Sequence, residues 1–249
     1  LYNGSQVRAG GATERISIDA IPFGDAYEEQ NSQSYAFQYG VNATGDSPFT
    51  VRTTVESPFP DGVSPEPNQS VGMQIGPGDQ DNYIKLVATA QDATGSASGG
   101  VQLLHEVNGT VVNSRAVLSE SEVIGSGQTI DLYLDVYPSN DTVEASYSIN
   151  GGERVYFDQT LTMSESWYAT STRGLAVGVI STARGASSTH PASWDRLSVT
   201  EITPNTAPTA DAGDDQSVDE GTTVVLDASN TTDPDEGDVV TYVWEQVDG

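Results

Sequence analysis

The chain has 249 residues, of which 36 are acidic and nine basic, so its net charge is −27 at pH 7. This charge excludes nucleic acid as a partner, because phosphate binding needs clustered Lys and Arg. There is no cysteine, which excludes disulfides. Charge of this density is tolerated where salt screens self-repulsion, and it predicts a halophilic source; a secreted protein loaded with calcium is the alternative.

Short runs with a period of two follow one another along the chain, separated by Gly, Pro, Asn and Asp. In "PFTVRTTVES", Phe49, Val51, Thr53 and Val55 share one face. Similar runs include "NYIKLVATA", "GGVQLLHEV", "TVVNSRAVL", "TIDLYLDVY", "TVEASYSIN", "RVYFDQT", "GLAVGVIST" and "WDRLSVTEI". About ten to twelve strands fit before residue 203, without a βαβ rhythm. The pattern predicts an all-β fold, an antiparallel β-sandwich of the jelly-roll kind.

The clearest local element is a hairpin in "DTVEASYSINGGERVYFD". Asn150, Gly151 and Gly152 tolerate positive φ, which the tight hairpin turns require, and both flanks alternate. We therefore predict two adjacent antiparallel strands here.

A linker at "TPNTAPTADAG" divides the chain near residue 204. Pro204 and Pro208 interrupt strand pairing, and the composition shifts to small and acidic residues. We predict a sandwich domain over 1–203, in which 1–15 is a linker or a strand from a preceding region. A second domain occupies 204–249.

The residues from Ala207 onward resemble the opening of a polycystic-kidney-disease (PKD) domain. The resemblance covers about 205–249 and rests on Pro-x-Ala, Ala-Gly, Glu-Gly, Val-x-Leu-Asp-x-Ser, Asp-Pro-Asp and Tyr-x-Trp. It implies a partial immunoglobulin-like sandwich, since such domains are about twice as long. It also implies that Trp244 is buried and that the chain stops within a domain.

The earlier region, about 30–203, is similar to concanavalin-like and laminin-G-like jelly rolls of large secreted microbial proteins. The similarity lies in "SPFTVRTTVESPFP", "VGMQIGPGDQDNYIKLVATA", "GGVQLLHEVNG", "LAVGVISTARG" and "SWDRLSVTEI". Together the two resemblances imply a large secreted or cell-surface protein, and with the acidic composition they predict a halophilic archaeon as its source.

The strand "TIDLYLDVYPSND" predicts a binding face. Its core face carries Ile130, Leu132, Leu134 and Val136, and its other face carries Asp131, Tyr133, Asp135 and Tyr137. Tyrosine rings offer apolar surfaces on which sugars stack, and carboxylates accept hydrogen bonds from sugar hydroxyls. We expect a carbohydrate-binding surface; a plain solvent face with high strand propensity is the alternative.

Two acidic turns are candidates for calcium, which takes oxygen ligands. The first contains Asp79, Asp81 and Asn82, and the second contains Asp233, Asp235 and Asp238. The alternative for each is a polar turn in which Asp and Asn side chains cap the backbone.

Sequons for N-glycosylation indicate an exported protein. Six of the chain's asparagines qualify, more than its Ser and Thr content predicts by chance: Asn3, Asn42, Asn68, Asn108, Asn140 and Asn230. No run of about 18 apolar residues suggests a membrane span. We expect an extracellular or cell-surface location.

Catalytic motifs are absent from the sequence. The Glu-x-Asp-x-x-Glu string of jelly-roll glycoside hydrolases does not occur, and Glu120 with Glu122 is the nearest pair. The two histidines, His105 and His190, belong to no nucleophile motif, and His190 falls in a predicted loop. We predict a non-enzymatic recognition or adhesion module that binds glycans or surface proteins. The alternatives are a structural subunit that binds copies of itself and, remotely, a glycoside hydrolase.

Overall fold

The computed structural model describes residues 4–10, 15–90, 99–117, 123, 125–168, 174–203, 205–235 and 239–246. Contacts between Cα atoms divide the chain into two compact units, Leu1–Ile202 and Thr203–Gly249. No helix in the described ranges has the length and apolarity that crossing a membrane requires.

The first unit is built from strands, with three single-turn 3₁₀ helices in its described parts. The strands are β1 (Val7–Gly10), β2 (Arg15–Ile21), β3 (Tyr35–Val41), β4 (Phe49–Glu56), β5 (Gln69–Gly76), β6 (Tyr83–Thr89), β7 (Gly100–Val107), β8 (Thr110–Val117), β9 (Thr129–Tyr137), β10 (Thr142–Ile149), β11 (Val155–Thr162), β12 (Leu175–Ala183) and β13 (His190–Glu201). They form a seven-stranded sheet ordered β1-β2-β13-β4-β9-β10-β11 and a six-stranded sheet ordered β3-β12-β5-β6-β7-β8. All pairings between these strands are antiparallel.

The two sheets enclose one apolar core, which confirms the predicted all-β sandwich. Alternate residues of β4 are buried, as the period of two predicts, and Val51 and Val55 are fully enclosed. Trp167 and Trp194 also lie in this core.

A segment that the sequence did not mark, residues 22–34, lies across the outer face of the six-stranded sheet; we call it the strap. The Tyr83 hydroxyl donates to the Ala26 carbonyl at 2.5 Å, and the Glu28 N–H donates to Glu106 Oε2 at 2.8 Å. Every residue of β5 and β6 is buried, so neither face of these strands meets solvent. Burial of both faces explains why successive residues such as Leu86, Val87 and Ala88 are all apolar, which a half-exposed strand would not show.

The predicted hairpin is confirmed by the pairing of β10 with β11. Asn150 and Gly151 adopt φ values of +52° and +72°, the left-handed conformations that a tight hairpin turn needs.

The second unit contains little regular structure in its described residues, where one isolated bridge joins Thr209 to Thr232. The segments "TVVLDAS" and "VVTYVW" contain no regular strand. Trp244 is 46% exposed, so its expected burial is wrong. The physical reason is size, because a unit of fewer than about 50 residues can remove only a modest share of its apolar surface from water.

Candidate functional site

The outer face of the seven-stranded sheet carries the predicted binding residues. Ile130, Leu132, Leu134 and Val136 are buried, and their neighbours on β9 lie on the opposite face, as predicted. Register extends one outer row across five strands: Ser198, Arg52, Tyr133, Ser146 and Tyr156. We call the set Arg52, Asp131, Tyr133, Asp135, Arg154 and Tyr156 the Arg–Tyr face.

Asp131 forms an ion pair across the β4–β9 ladder. Its Oδ2 lies 2.9 Å from Arg52 Nη2, and its Oδ1 accepts a 2.5 Å hydrogen bond from the Thr54 hydroxyl. Asp131 is 9% exposed, so its carboxylate is largely shielded from water. A shielded carboxylate needs such partners to remain charged.

Asp135 is held in the same way from the other side of β9. Its Oδ2 lies 2.7 Å from Arg154 Nη2, and the Thr50 hydroxyl donates to its Oδ1 at 2.6 Å. Arg154 also donates to Ser146 Oγ, through Nε at 3.0 Å and Nη2 at 2.6 Å. Asp135 is 5% exposed. Both predicted acceptor carboxylates are therefore engaged within the sheet.

Tyr133 lies between two guanidinium groups that reach it from neighbouring strands. Its ring centroid is 5.3 Å from Arg52 Cζ and 4.2 Å from Arg154 Cζ, within cation–π range. Tyr156 is different, because it is 56% exposed and lies 5.0 Å from the Arg154 guanidinium. The open ring of this face is thus Tyr156.

Tyr137 occupies the end of the predicted row and is half-buried. Burial raises the pKa of its phenol, and the nearby Glu144 and Asp135 carboxylates raise it further. The hydroxyl consequently stays protonated at neutral pH and can donate a hydrogen bond.

Sequence reasoning missed Arg52, Arg154 and Tyr156 as parts of this site. Arg52 is 79 residues from its partner Asp131, and only the order of strands in the sheet brings them together. The hairpin gave a usable signal for Tyr156, since it fixes which residue of β11 lies opposite Ser146.

The first calcium candidate is a hydrogen-bonded turn between β5 and β6. Asp79 Oδ1 accepts the N–H groups of Asp81 at 2.9 Å and Asn82 at 2.8 Å. Asn31 Nδ2 donates to Asp81 Oδ1 at 2.7 Å, and the Asn108 N–H donates to Asn82 Oδ1 at 2.9 Å. This is the geometry of a backbone-capping turn, the alternative to a metal site.

The second candidate shows the same use of carboxylates. Asp233 Oδ1 accepts the Asp235 N–H at 2.9 Å, and Asp235 Oδ2 accepts the Thr206 N–H at 2.5 Å. Asp238 lies outside the described residues. Within the described ranges no group of three or more His, Cys, Asp or Glu side chains is arranged to hold a metal ion. Calcium stays a prediction for both turns.

The sequons lie in turns and at strand ends. Asn42, Asn108, Asn140 and Asn230 are exposed, Asn68 is half-buried, and Asn3 lies outside the described residues. Asn42 Oδ1 accepts hydrogen bonds from both the N–H and the hydroxyl of Thr44, so the first and last residues of this sequon contact each other. Glycosylation stays a prediction, and four of the six asparagines are exposed.

Both histidines are buried within the sandwich. His190 begins β13 and is 1% exposed, so its predicted position in a loop is wrong: it pairs with Ile21 at the sheet, and its ring packs on Phe59. His105 is buried on β7, and burial lowers the pKa of both rings. Glu120 and Glu122 lie outside the described residues.

Comparison with known protein families gives a match in the second unit. Residues 205–249 match the PKD domain. The match covers that unit and leaves the sandwich unassigned. Comparison with curated proteins found no significant match.

Solved structures with the fold of the sandwich include xyloglucan PUL GH43B from Bacteroides ovatus, with a TM-score of 0.56 and 12% identity. That similarity covers 81% of this chain and 35% of the Bacteroides chain. A functionally unknown protein from Saccharomyces cerevisiae has a TM-score of 0.51 and 13% identity over 82% of this chain and 100% of its own. Lectin I-B4 from Griffonia simplicifolia has a TM-score of 0.47 and 10% identity over 78% and 91%. At these identities the first two establish the fold alone.

Proposed function

We propose that the chain is a non-catalytic recognition module that binds carbohydrate through the Arg–Tyr face. The observation that carries this proposal is the exposed Tyr156 ring beside the Arg154 guanidinium, which Asp135 and Ser146 hold in place. An apolar ring next to a fixed hydrogen-bond donor matches a sugar, which has C–H faces and a hydroxyl perimeter.

Arg154 is organised before any ligand arrives. Its Nε and Nη2 donate to Asp135 and Ser146, while Nη1 makes no hydrogen bond to the described part of the chain. A side chain that is already ordered loses little conformational entropy on binding. Its remaining N–H groups can therefore donate hydrogen bonds to sugar hydroxyls with little entropic penalty. Arg52 is held against Asp131 in the same manner.

The preferred ligand is an uncharged glycan. The net charge of −27 repels polyanions such as uronic-acid polymers, especially at low ionic strength. On the face itself the two arginines are neutralised by Asp131 and Asp135, so no net positive charge offsets this repulsion locally.

The setting that fits this function is an extracellular or cell-surface protein of a halophile. The match of residues 205–249 to the PKD domain, the exposed sequons and the acidic composition support that location. We include N-glycosylation and a structural calcium ion in the proposal as properties to test.

The test is binding of the full chain to a glycan array and then calorimetry with the best neutral glycan, in about 1 M salt. Tyr156→Ala should weaken binding about tenfold, because stacking on an aromatic ring contributes about 1 kcal/mol or more. Val155→Ala is the matched control, since Val155 is an exposed neighbour on β11 whose side chain leaves the sheet on the other face. Equal affinities of the two variants would refute the site.

A structural subunit is the second candidate, and the exposed apolar side chains of the second unit favour it. Val225 is 72% exposed and Val243 is 92% exposed. Large exposed apolar side chains are typical of surfaces that contact another copy or a neighbouring surface protein. Sedimentation of the full chain should then show concentration-dependent assembly that is lost in a Val225→Asp/Val243→Asp variant.

The remote alternative, a glycoside hydrolase, is tested by incubating the chain with the glycans that it binds on the array and measuring the release of reducing ends.

A further inference from the structure

A cavity lies at the side of the sandwich, and none of the residues that line it belongs to the Arg–Tyr face. It opens between the edge strand β3 of the six-stranded sheet and strands β2 and β13 of the other sheet, and its volume is about 350 Å³. We call it the edge cleft. Its volume is at the lower end of the range of small-molecule sites, about 300–1,000 Å³, which suits one ring and not an extended chain.

The floor and walls of the edge cleft are apolar and aromatic. Trp194 and Val179 are buried at its base, and Ile16, Phe37 and Leu197 are partly buried and pack against the core. Tyr39 lies on the same strand face as Phe37, two residues further along β3, and is 45% exposed. The cleft thus offers an accessible aromatic ring above an apolar floor.

The rim is polar because β13 contains a bulge. Its pairing with β4 shifts register between Trp194 and Arg196, so Asp195 has no partner in the ladder. Bulges commonly redirect side chains beside binding sites. Asp195 and Arg196 are both exposed and both line the cleft.

The two rim groups remain available to a ligand. The Asp195 carboxylate is 3.9 Å from Arg15 Nε, a long contact, while Arg15 Nη2 is 2.7 Å from Glu56 Oε1. Arg15 is therefore bound chiefly by Glu56. The Arg196 guanidinium forms no ion pair or hydrogen bond with the described residues, so a carboxylate acceptor and a guanidinium donor stand together at the mouth.

We propose that the edge cleft binds a single neutral pyranose unit, with its apolar face against Tyr39 and its hydroxyls toward Asp195 and Arg196. A pyranose combines one apolar face with a polar perimeter, which is the distribution of groups in the cleft. Opposite charges at the rim favour an uncharged ligand that both donates and accepts hydrogen bonds. This site shares its ligand class with the proposed function but none of its residues, so either proposal can fail alone.

The test uses the full chain and three probes: methyl β-D-glucopyranoside, methyl β-D-galactopyranoside and methyl α-D-mannopyranoside. Each is titrated to about 50 mM, because a one-ring ligand is expected to bind with a Kd of about 1–10 mM. Saturation-transfer NMR reports binding. The NMR signal of the Trp194 indole N–H reports where the ligand binds, because this side chain lies at the base of the cleft. Its Nε1 donates to the Gly72 carbonyl at 3.0 Å, and the signal is assigned by its loss in Trp194→Phe.

At least one glycoside should shift the Trp194 signal, and Tyr39→Ala should weaken its binding about tenfold. Asp195→Asn, an exposed change that leaves the core intact, should weaken it about threefold. Tyr156→Ala is the matched control and should leave this binding unchanged.

Two outcomes would overturn the inference. One is the absence of saturation transfer from all three glycosides to the folded wild-type chain. The other is binding that survives both Tyr39→Ala and Asp195→Asn. If glycoside binding is instead lost in Tyr156→Ala, the edge cleft is refuted and the Arg–Tyr face gains support.

Discussion

The buried imidazole of His190 should make the stability of the sandwich depend on pH in a defined window. His190 Nε2 lies 3.2 Å from Ser181 Oγ, and the Ser181 hydroxyl donates to the Ser70 carbonyl at 2.7 Å. Because the serine hydrogen is used there, its oxygen accepts from Nε2–H. His190 Nδ1 is then the bare nitrogen, and it is buried without a partner in the described residues.

Protonation of Nδ1 would place an unpaired charge in the core. Burial lowers the pKa of His190 from 6.5 to about 4. Between these values the unfolded chain binds a proton that the native chain rejects, so native stability is complete above about pH 6.5 and falls as pH falls toward 4. Each pH unit costs about 1.4 kcal/mol, so this one group removes about 3 kcal/mol across the window.

The measurement is the free energy of unfolding by urea between pH 8 and pH 4, in constant salt, for wild type and His190→Gln. Glutamine can donate to Ser181 without titrating. Many carboxylates also titrate in acid, and His105 contributes in the same direction as His190, because burial lowers its pKa. These effects are common to both proteins and cancel in the difference. We expect the difference to change by about 3 kcal/mol over the window; a difference independent of pH would refute the assigned burial and hydrogen bonding.

Three further predictions follow from local geometry. Arg154→Leu should lower the free energy of unfolding by about 1–3 kcal/mol, because Asp135 loses its guanidinium partner. Adding Asp135→Asn should recover part of this loss in urea titrations. If the effects of the two substitutions on the free energy of unfolding were strictly additive, the coupling between the two side chains would be contradicted. Gly151→Ala should cost about 1 kcal/mol because φ there is +72°, whereas Gly45→Ala, where a Cβ meets open space, should be neutral within about 0.5 kcal/mol. Asp79→Ala should lower the melting temperature in chelator, because Asp79 caps its own turn. A structural calcium ion should add a calcium-dependent rise in wild type that this variant loses; a wild-type melting temperature unchanged by millimolar calcium would remove the ion from the proposal.

The two faces of β9 could be predicted from the sequence because alternation is a local property of one strand. The burial of Ile130 and Leu134 follows from it directly. The partners on β4 of the outer carboxylates could not be predicted. Strands β4 and β9 are neighbours in the sheet, but four other strands, β5 to β8, separate them in the chain. Strand order is a long-range property, and one sequence carries no measure of it.

The strap was missed for a related reason. Residues 22–34 show neither periodicity nor a motif, and their role appears only from contacts with Tyr83 and Glu106 on strands far along the chain. The same holds for the edge cleft, where Tyr39 and Asp195 come from different sheets and the bulge that frees Asp195 depends on pairing with β4. The alternation of residues within one strand therefore does not predict a site whose residues are brought together by strand register and by the order of strands in the sheets.

The ion pairs of the Arg–Tyr face serve position more than stability. Arg52 and Arg154 are about one-third exposed, and pairs at such sites contribute little net free energy after desolvation and loss of side-chain freedom. Their atoms nevertheless touch at 2.7–2.9 Å, within the screening length of about 3 Å at molar salt, whereas the repulsion between distant acidic groups is screened away. A strongly acidic chain in concentrated salt therefore keeps its short contacts and loses its long-range field. The Arg–Tyr face, which is built from such short contacts, therefore retains its geometry in the concentrated salt that the acidic composition predicts. A neutral ligand can bind there because its binding does not depend on long-range electrostatic attraction.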